Sequence, residues 1–384
     1  VQASYDLTPL IPLLLLGGVF ALATLAWVWR RQRQATPAQR LHRLTLVTLF
    51  LTFDLVLFGA FTRLSDSGLG CPDWPGCYGH ASPVGAAAAI GAAQDSMPTG
   101  PVTHRKAWIE MVHRYLATTV GALIVALAGL SWLHRRRLTV SFAWPLITLA
   151  WVCLQGAFGA LTVTMKLFPA IVTLHLLGGL VLLALLRVQI LGPARMASAD
   201  AHDPLRLSTH TRLALVLVFA MLWLQIALGA WVSTNYAVLA CSEFPTCQGS
   251  WWPPMDLGAG FTLWRDLGLS ANGQPIPFAA LTAIHYMHRL MAYGVFLALC
   301  WLIARLWKLP AMRSTARWLL ALAVWQLLTG LGNVMLDWPL LAALGHTAGA
   351  AGLVIVMTGA IVRERRHAAN PVNAPRSPIS PLSE

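Results

Sequence analysis

The strongest constraint on this chain is a succession of apolar runs, each long enough to cross about 30 Å of hydrocarbon at about 1.5 Å per helical residue. Such runs lie at 9–29, 42–63, 107–133, 142–163, 169–191, 211–234, 278–304, 316–337 and 339–362. Only 11% of the 384 residues are charged and 57% are hydrophobic, whereas an ordinary soluble domain is about 25% charged. The expected fold is therefore an all-α polytopic membrane protein that devotes most of its length to nine spans.

The basic residues set an expected orientation, because cytoplasmic loops keep an excess of Lys and Arg. Arg30, Arg31, Arg33, Arg40 and Arg43 follow the first run, Arg135, Arg136 and Arg137 the third, and Arg187, Arg195, Arg206 and Arg212 the fifth. Arg305, Lys308, Arg313 and Arg317, and then Arg363, Arg365, Arg366 and Arg376, complete an alternating pattern. It predicts an N-terminus outside, in the periplasm, and a C-terminus in the cytoplasm. The net charge of +13 is spread over these short loops instead of forming one patch, which argues against nucleic acid as a partner. The first run lacks a basic segment before it and has one after it, so it reads as a retained anchor helix and not a signal peptide.

An internal repeat organises the rest. FGAFTRLSDSGLGCPDWPGC at 58–77 resembles LGAWVSTNYAVLACSEFPTC at 228–247; twelve residues separate Gly59 from Cys71 and Gly229 from Cys241, and both segments end in Cys-x5-Cys. EMVHRYLA at 110–117 superimposes on HYMHRLMA at 285–292, placing His113 on His288, Arg114 on Arg289 and Glu110 on His285. Gln155 precedes His175 by twenty residues, and Gln326 precedes His346 by twenty. The implied organisation is an anchor helix and basic loop (1–40), a first four-helix half (41–191), a cytoplasmic linker (192–210), a second four-helix half (211–362) and a disordered cytoplasmic tail (363–384). The halves are parallel repeats, since four helices separate equivalent points.

Five of the twelve histidines fall within runs: His113, His175, His285, His288 and His346. Ionisable groups in a membrane are costly and suggest function, although a lone histidine is as readily satisfied by an interhelical hydrogen bond. Here four of them form two matched pairs, each entering from the outer face at similar depth. Two imidazoles from facing helices suit the two faces of a haem, whereas zinc would want three or four clustered ligands. Gly178, Gly179 and Gly349 either make room for a porphyrin or permit close helix packing. Arg114 and Arg289 either pair with haem propionates or extend to the interface.

The halves differ at one telling position. Glu110 lies three residues before His113 and shares its helix face, while its counterpart is His285. A carboxylate beside one cofactor only points to chemistry in the first half and electron transfer in the second. Glu110 would accept a proton or orient a water there, or else act as a hydrogen-bond acceptor for Arg114. Asp54 has no partner that the sequence identifies. Cys71, Cys77, Cys241 and Cys247 lie in outer loops, where disulfides Cys71–Cys77 and Cys241–Cys247 are expected in an oxidising compartment, a zinc pair being the alternative. The first pair would be redox-active or a loop staple, and Trp74 would pack over the site or belong to an interfacial belt. Cys153 and Cys300, inside spans, read as small buried apolar residues.

Taken together, GLGCPDWPGC, EMVHR, HLLGG, the second HR-bearing helix and the final GH-bearing helix resemble the bacterial and mitochondrial haem A synthases over roughly residues 45–362. The resemblance implies an inner-membrane oxidoreductase that converts a methyl group of haem O to the formyl group of haem A for haem-copper cytochrome oxidases. It implies His113 and His175 as axial ligands of the substrate haem, His288 and His346 as axial ligands of a cofactor haem b that carries electrons away, Glu110 as the catalytic carboxylate, and Cys71 and Cys77 as the loop pair. It further implies the farnesyltransferase that makes haem O and oxidase assembly factors as partners, beside the lipid bilayer; a homo-oligomer is compatible with it. The family core has eight helices, so the run at 9–29 is an addition. Two rival readings are a di-haem, quinol-linked cytochrome b and a haem transporter or chaperone.

Overall fold

A computed structural model describes residues 5–136, 141–191 and 207–368. Among these, nine helices are long and apolar enough to span a membrane. They are α1 (Leu10–Arg31), α2 (Pro37–Leu64), α4 (His104–Leu133), α5 (Ala143–Thr164) and α6 (Pro169–Ile190), followed by α7 (Thr209–Thr234), α9 (Phe278–Trp307), α10 (Arg313–Met335) and α11 (Leu340–Ala368). Two shorter helices, α3 (Ala87–Ser96) and α8 (Leu257–Gly260), lie in the two long loops. The protein is an all-α polytopic membrane protein, with one minor exception. Strands β1 (Tyr5–Asp6) and β2 (Trp74–Pro75) pair in parallel, so Trp74 is tied by its backbone to the N-terminal segment. Most of the linker 192–210 and the end of the tail 363–384 lie outside the described residues.

Local chemistry marks the helix ends. The Thr36 side chain accepts from Gln39 N–H while Gln39 accepts from Thr36 N–H, a capping box reinforced by Pro37 at the first helical position. Thr103 and Ser208 cap α4 and α7 in the same way through Lys106 and Thr211. On the face bearing the long loops, Ser67, Leu167 and Trp338 each donate a backbone bond to the carbonyl five residues earlier, closing α2, α5 and α10. The chain there turns through left-handed residues, including Asp66, Lys166, Leu167, Asp337 and Trp338, and Tyr236 does the same after α7.

Helix packing follows the repeat. In the first half α2 packs on α4 and α6, and α5 packs on α4 and α6; in the second, α7 packs on α9 and α11, and α10 packs on α9 and α11. The halves meet through α6 against α7, α11 against α2, and α6 against α11. This exchange-symmetric pattern puts the fourth helix of each half at the centre. One core cluster crosses that boundary, joining Leu180 and Leu183 of α6 to Leu215, Leu302, Leu319, Val354 and Met357 of the second half. The added helix α1 lies against α4, where a Cβ at Gly17 would meet Thr118 at 2.7 Å.

Cys153 and Cys300 are exposed on the outside of the bundle, contrary to the expectation of burial. In a bilayer the outer surface is as apolar as the core, so a small apolar residue does not reveal which way it faces.

Candidate haem-binding sites

Each proposed ligand lies a similar distance along its helix. His113 and His288 come nine and ten residues after the first residues of α4 and α9, and His175 and His346 each come six residues into α6 and α11. At about 1.5 Å per residue, all four sit roughly 9–15 Å below the helix starts. His113 is within electrostatic reach of His175, and His288 of His346. The four rings are only partly enclosed by protein, while Glu110 and His285 are buried.

A glycine stands beside each of these imidazoles. A Cβ would approach the ring Cε1 at 2.9 Å from Gly59 to His113, 2.8 Å from Gly229 to His288, 3.5 Å from Gly159 to His175 and 3.4 Å from Gly330 to His346. Sequence reasoning used Gly59 and Gly229 only to align the repeats and passed over Gly159 and Gly330; their signal was the equivalence of the four positions. Gly178 and Gly349, considered for the porphyrin, serve glutamines instead. A Cβ on Gly178 would collide with Gln155 at 1.8 Å, and one on Gly349 would meet Gln326 at 2.7 Å. Gly179 faces Val56 at 3.4 Å. Gln326 donates to the carbonyl of His346 at 2.8 Å, and the Phe58 ring lies parallel to His113 at 6.4 Å.

Above the histidines, each half folds its loop around a disulfide, Cys71–Cys77 and Cys241–Cys247. Arg114 donates to the carbonyls of Asp73 (3.1 Å), Pro75 (2.9 Å) and Gly76, and Arg289 to those of Cys241 (2.6 Å), Glu243 (2.7 Å) and Thr246 (3.2 Å). Each guanidinium thus pegs its loop through several carbonyls as a multi-donor group. Asp73 completes the first loop by accepting from Tyr78 N–H (2.6 Å) and Gly79 N–H (2.8 Å).

Glu110 joins loop to helix. Its Oε2 accepts from Cys71 N–H at 2.8 Å and its Oε1 from Arg114 at 2.5 Å. In the second half Arg289 Nε donates to His285 Nε2 at 3.3 Å, and His285 bonds the backbone carbonyl of Ala237, so His285 occupies the Glu110 position with an acceptor, not a donor, as its loop partner. Asp54 lies half-buried on α2.

A polar cluster absent from the sequence reading links the two halves at the loop face. Arg63 donates to Ser233 O and lies 3.7 Å from the centre of the Tyr236 ring; Tyr236 donates to Asp66 at 2.8 Å, and Lys106 bonds Asp66 at 3.0 Å. Burial acts to raise the Asp66 carboxyl, but the hydrogen bonds from Lys106 and Tyr236 and the charges of Lys106 and Arg63 outweigh it and hold it below its ordinary value.

Residues 42–358 match the family described as cytochrome oxidase assembly protein. A haem A synthase of Shewanella oneidensis is 36% identical over 314 residues, covering 81% of this chain and 92% of the relative. Those of Alkalihalophilus pseudofirmus, 27% identical over 80% of this chain and 92% of the relative, and of Rhizorhabdus wittichii, 24% identical over 85% and 95%, align over comparable lengths. With a family match across nearly the whole repeat and a relative this similar over most of both chains, the chain belongs to the haem A synthase family of cytochrome oxidase assembly proteins.

Proposed function

We propose that this protein is a haem A synthase of a bacterial inner membrane: an oxidoreductase that replaces two hydrogens of a haem O methyl group by one oxygen, giving the formyl group of haem A. The observation that carries this reading is two matched imidazole pairs with a carboxylate beside one pair only. The donor set fits the groups assigned to it. Each pair offers two partly enclosed imidazoles, each flanked by a glycine where a side chain would crowd the ring, and His113 Nδ1 is buried without a hydrogen-bond partner among the described residues.

His113 and His175 hold the substrate haem O, and His288 and His346 hold haem b, which when bound supplies one-electron transfer. Glu110 accepts a proton released as the methyl group is oxidised. Arg114, Cys71 N–H and Gly70 N–H fix its orientation. The disulfide loop, pegged by Arg114 and packed on Ala107 and Met111, limits water at that end of the first site. The basic loops favour an orientation with the N-terminus in the periplasm and the tail in the cytoplasm. The farnesyltransferase that makes haem O would supply the substrate, and oxidase assembly factors would receive the product.

Pigments extracted from the purified protein and identified by mass test this reading. Haem O, haem A and hydroxylated intermediates beside haem b are expected. Haem b alone would favour a di-haem cytochrome b, and unchanged oxidase haem A in cells lacking the gene would favour a transporter. Glu110→Ala should keep bound haem and lose the formyl product; full haem A yield would remove Glu110 from the chemistry.

A further inference from the structure

The two imidazole pairs differ in what holds their second ring nitrogen. In the second half, Thr329 Oγ1 lies 3.0 Å from His346 Nδ1 and 2.7 Å from Trp325 O. A hydroxyl has one proton, and the short bond to the Trp325 carbonyl uses it. Towards His346 the hydroxyl must therefore accept, so Nδ1 carries the hydrogen and Nε2 keeps its lone pair. The amide nitrogen of Gln225 lies 3.1 Å from His288 Nδ1 and 3.4 Å from its Nε2 and donates to the His288 carbonyl at 3.2 Å, while Oε1 is buried without a partner. Gln225 therefore ties the His288 ring to the His288 backbone with its amide nitrogen, while its own backbone carbonyl is the acceptor for the ring.

The first half has no such groups. Gln225 precedes Gly229 by four residues, as Leu55 precedes Gly59, and Thr329 precedes Gly330 directly, as Phe158 precedes Gly159. Leucine and phenylalanine thus occupy the places of the two hydrogen-bonding residues; His113 Nδ1 is buried without a partner, and His175 has the Gln155 backbone carbonyl, the counterpart of the Gln326 carbonyl at His346, but no hydroxyl beside it. A metal-bound imidazole whose other N–H is held by an acceptor is oriented and made more basic, and losing that acceptor typically lowers metal affinity about 10- to 100-fold.

Resting on the reading above, we propose that Gln225 and Thr329 are positioning residues that make the second site retain its haem, and that Leu55 and Phe158 make the first site exchange its haem. One repeated scaffold thereby holds a resident cofactor and a transient substrate. The difference lies in the partners of the ligands and not in the ligands.

The test uses the full-length protein in detergent, with Gln225→Leu, Thr329→Val and Thr329→Ser variants, and follows haem b loss to excess apomyoglobin and the reduction potential of the retained haem. Thr329→Val and Gln225→Leu should speed haem b loss by about 10- to 100-fold and raise its potential, since a less basic ligand favours ferrous iron. Thr329→Ser, which keeps the hydroxyl, should match the parent in both. The reciprocal Leu55→Gln, Phe158→Thr variant should slow release of haem from the first site. Parental loss rate and potential in Thr329→Val and Gln225→Leu would overturn the inference, as would a Thr329→Ser variant no better than Thr329→Val. A parent protein with no haem O, haem A or intermediate in either site would instead overturn the reading of function on which it rests.

Discussion

Gly59 and Gly229 illustrate how single residues set these sites. At both, even a methyl group would press on an imidazole within 3 Å, a distance at which the ring must move. Turning a ring off its preferred rotamer costs about 0.5–1.5 kcal/mol, or several-fold in ligand binding. Gly59→Ala should therefore reduce the haem O and haem A recovered with the protein while leaving haem b, and Gly229→Ala should do the reverse; visible spectra and extracted pigments distinguish them. Equal loss of both pigments from either variant would mean that the glycines serve general packing. The histidines and Glu110 stood out in the sequence because charge and imidazole are costly in lipid. The glycines did not, because glycine is common in membrane helices and only the neighbouring ring gives these four their meaning.

At the scale of elements, the disulfide loop and α4 form one unit. Gly70 approaches the backbone of Lys106 so closely that a Cβ would lie 2.4 Å from its carbonyl carbon, and this contact brings Cys71 N–H to Glu110. Gly70→Ala should push the loop off α4, at a cost of about 1–3 kcal/mol, and lower both the unfolding temperature and the formyl product while haem b stays bound. Unchanged product with lower stability would separate the loop contact from the chemistry. The latch of Asp66, Lys106 and Tyr236 makes a second prediction. Because the folded Asp66 carboxyl lies below its ordinary value, its stabilising effect is complete above the unfolded carboxylate pKa of about 3.9 and is lost as pH falls through the lower folded value. Asp66→Asn should slightly lower the unfolding temperature at neutral pH and leave it unchanged in strongly acidic buffer; a difference that persists in acid would assign the effect to packing. Neither contact was visible in the sequence, since each joins residues about forty or more positions apart.

At the scale of the molecule, the repeat makes two similar bundles, yet they do not behave as two domains. Their fourth helices meet at the centre, and the core cluster around Leu183, Leu215 and Val354 includes side chains from both. The shared core predicts that segments cut within 192–206 and co-expressed will purify together with haem b. The second half expressed alone should lose haem b, having lost α2 and α6 from its surface. A second half that is stable and haem-bound by itself, measured by size-exclusion chromatography with visible detection, would show that the halves are independent.

Hydropathy and the spacing of His, Glu and Cys were enough to infer nine spans, their repeat and the two histidine pairs, because the bilayer penalises each misplaced polar residue and so leaves a clear pattern; the family came from the resemblance of the motifs. The direction in which apolar residues face was not encoded in this way, and Cys153 and Cys300 proved exposed where burial was expected. Tertiary structure alone decided that Arg114 and Arg289 grip loop carbonyls, that Gly178 and Gly349 admit glutamines, and that Gln225 and Thr329 meet the imidazoles. These are relations between helices, and their physical cause is a fit of a few tenths of an ångström across an interface, which no spacing along one helix records. The matched histidine pairs could be read along the chain, but the difference between their surroundings appeared only when the helices were packed.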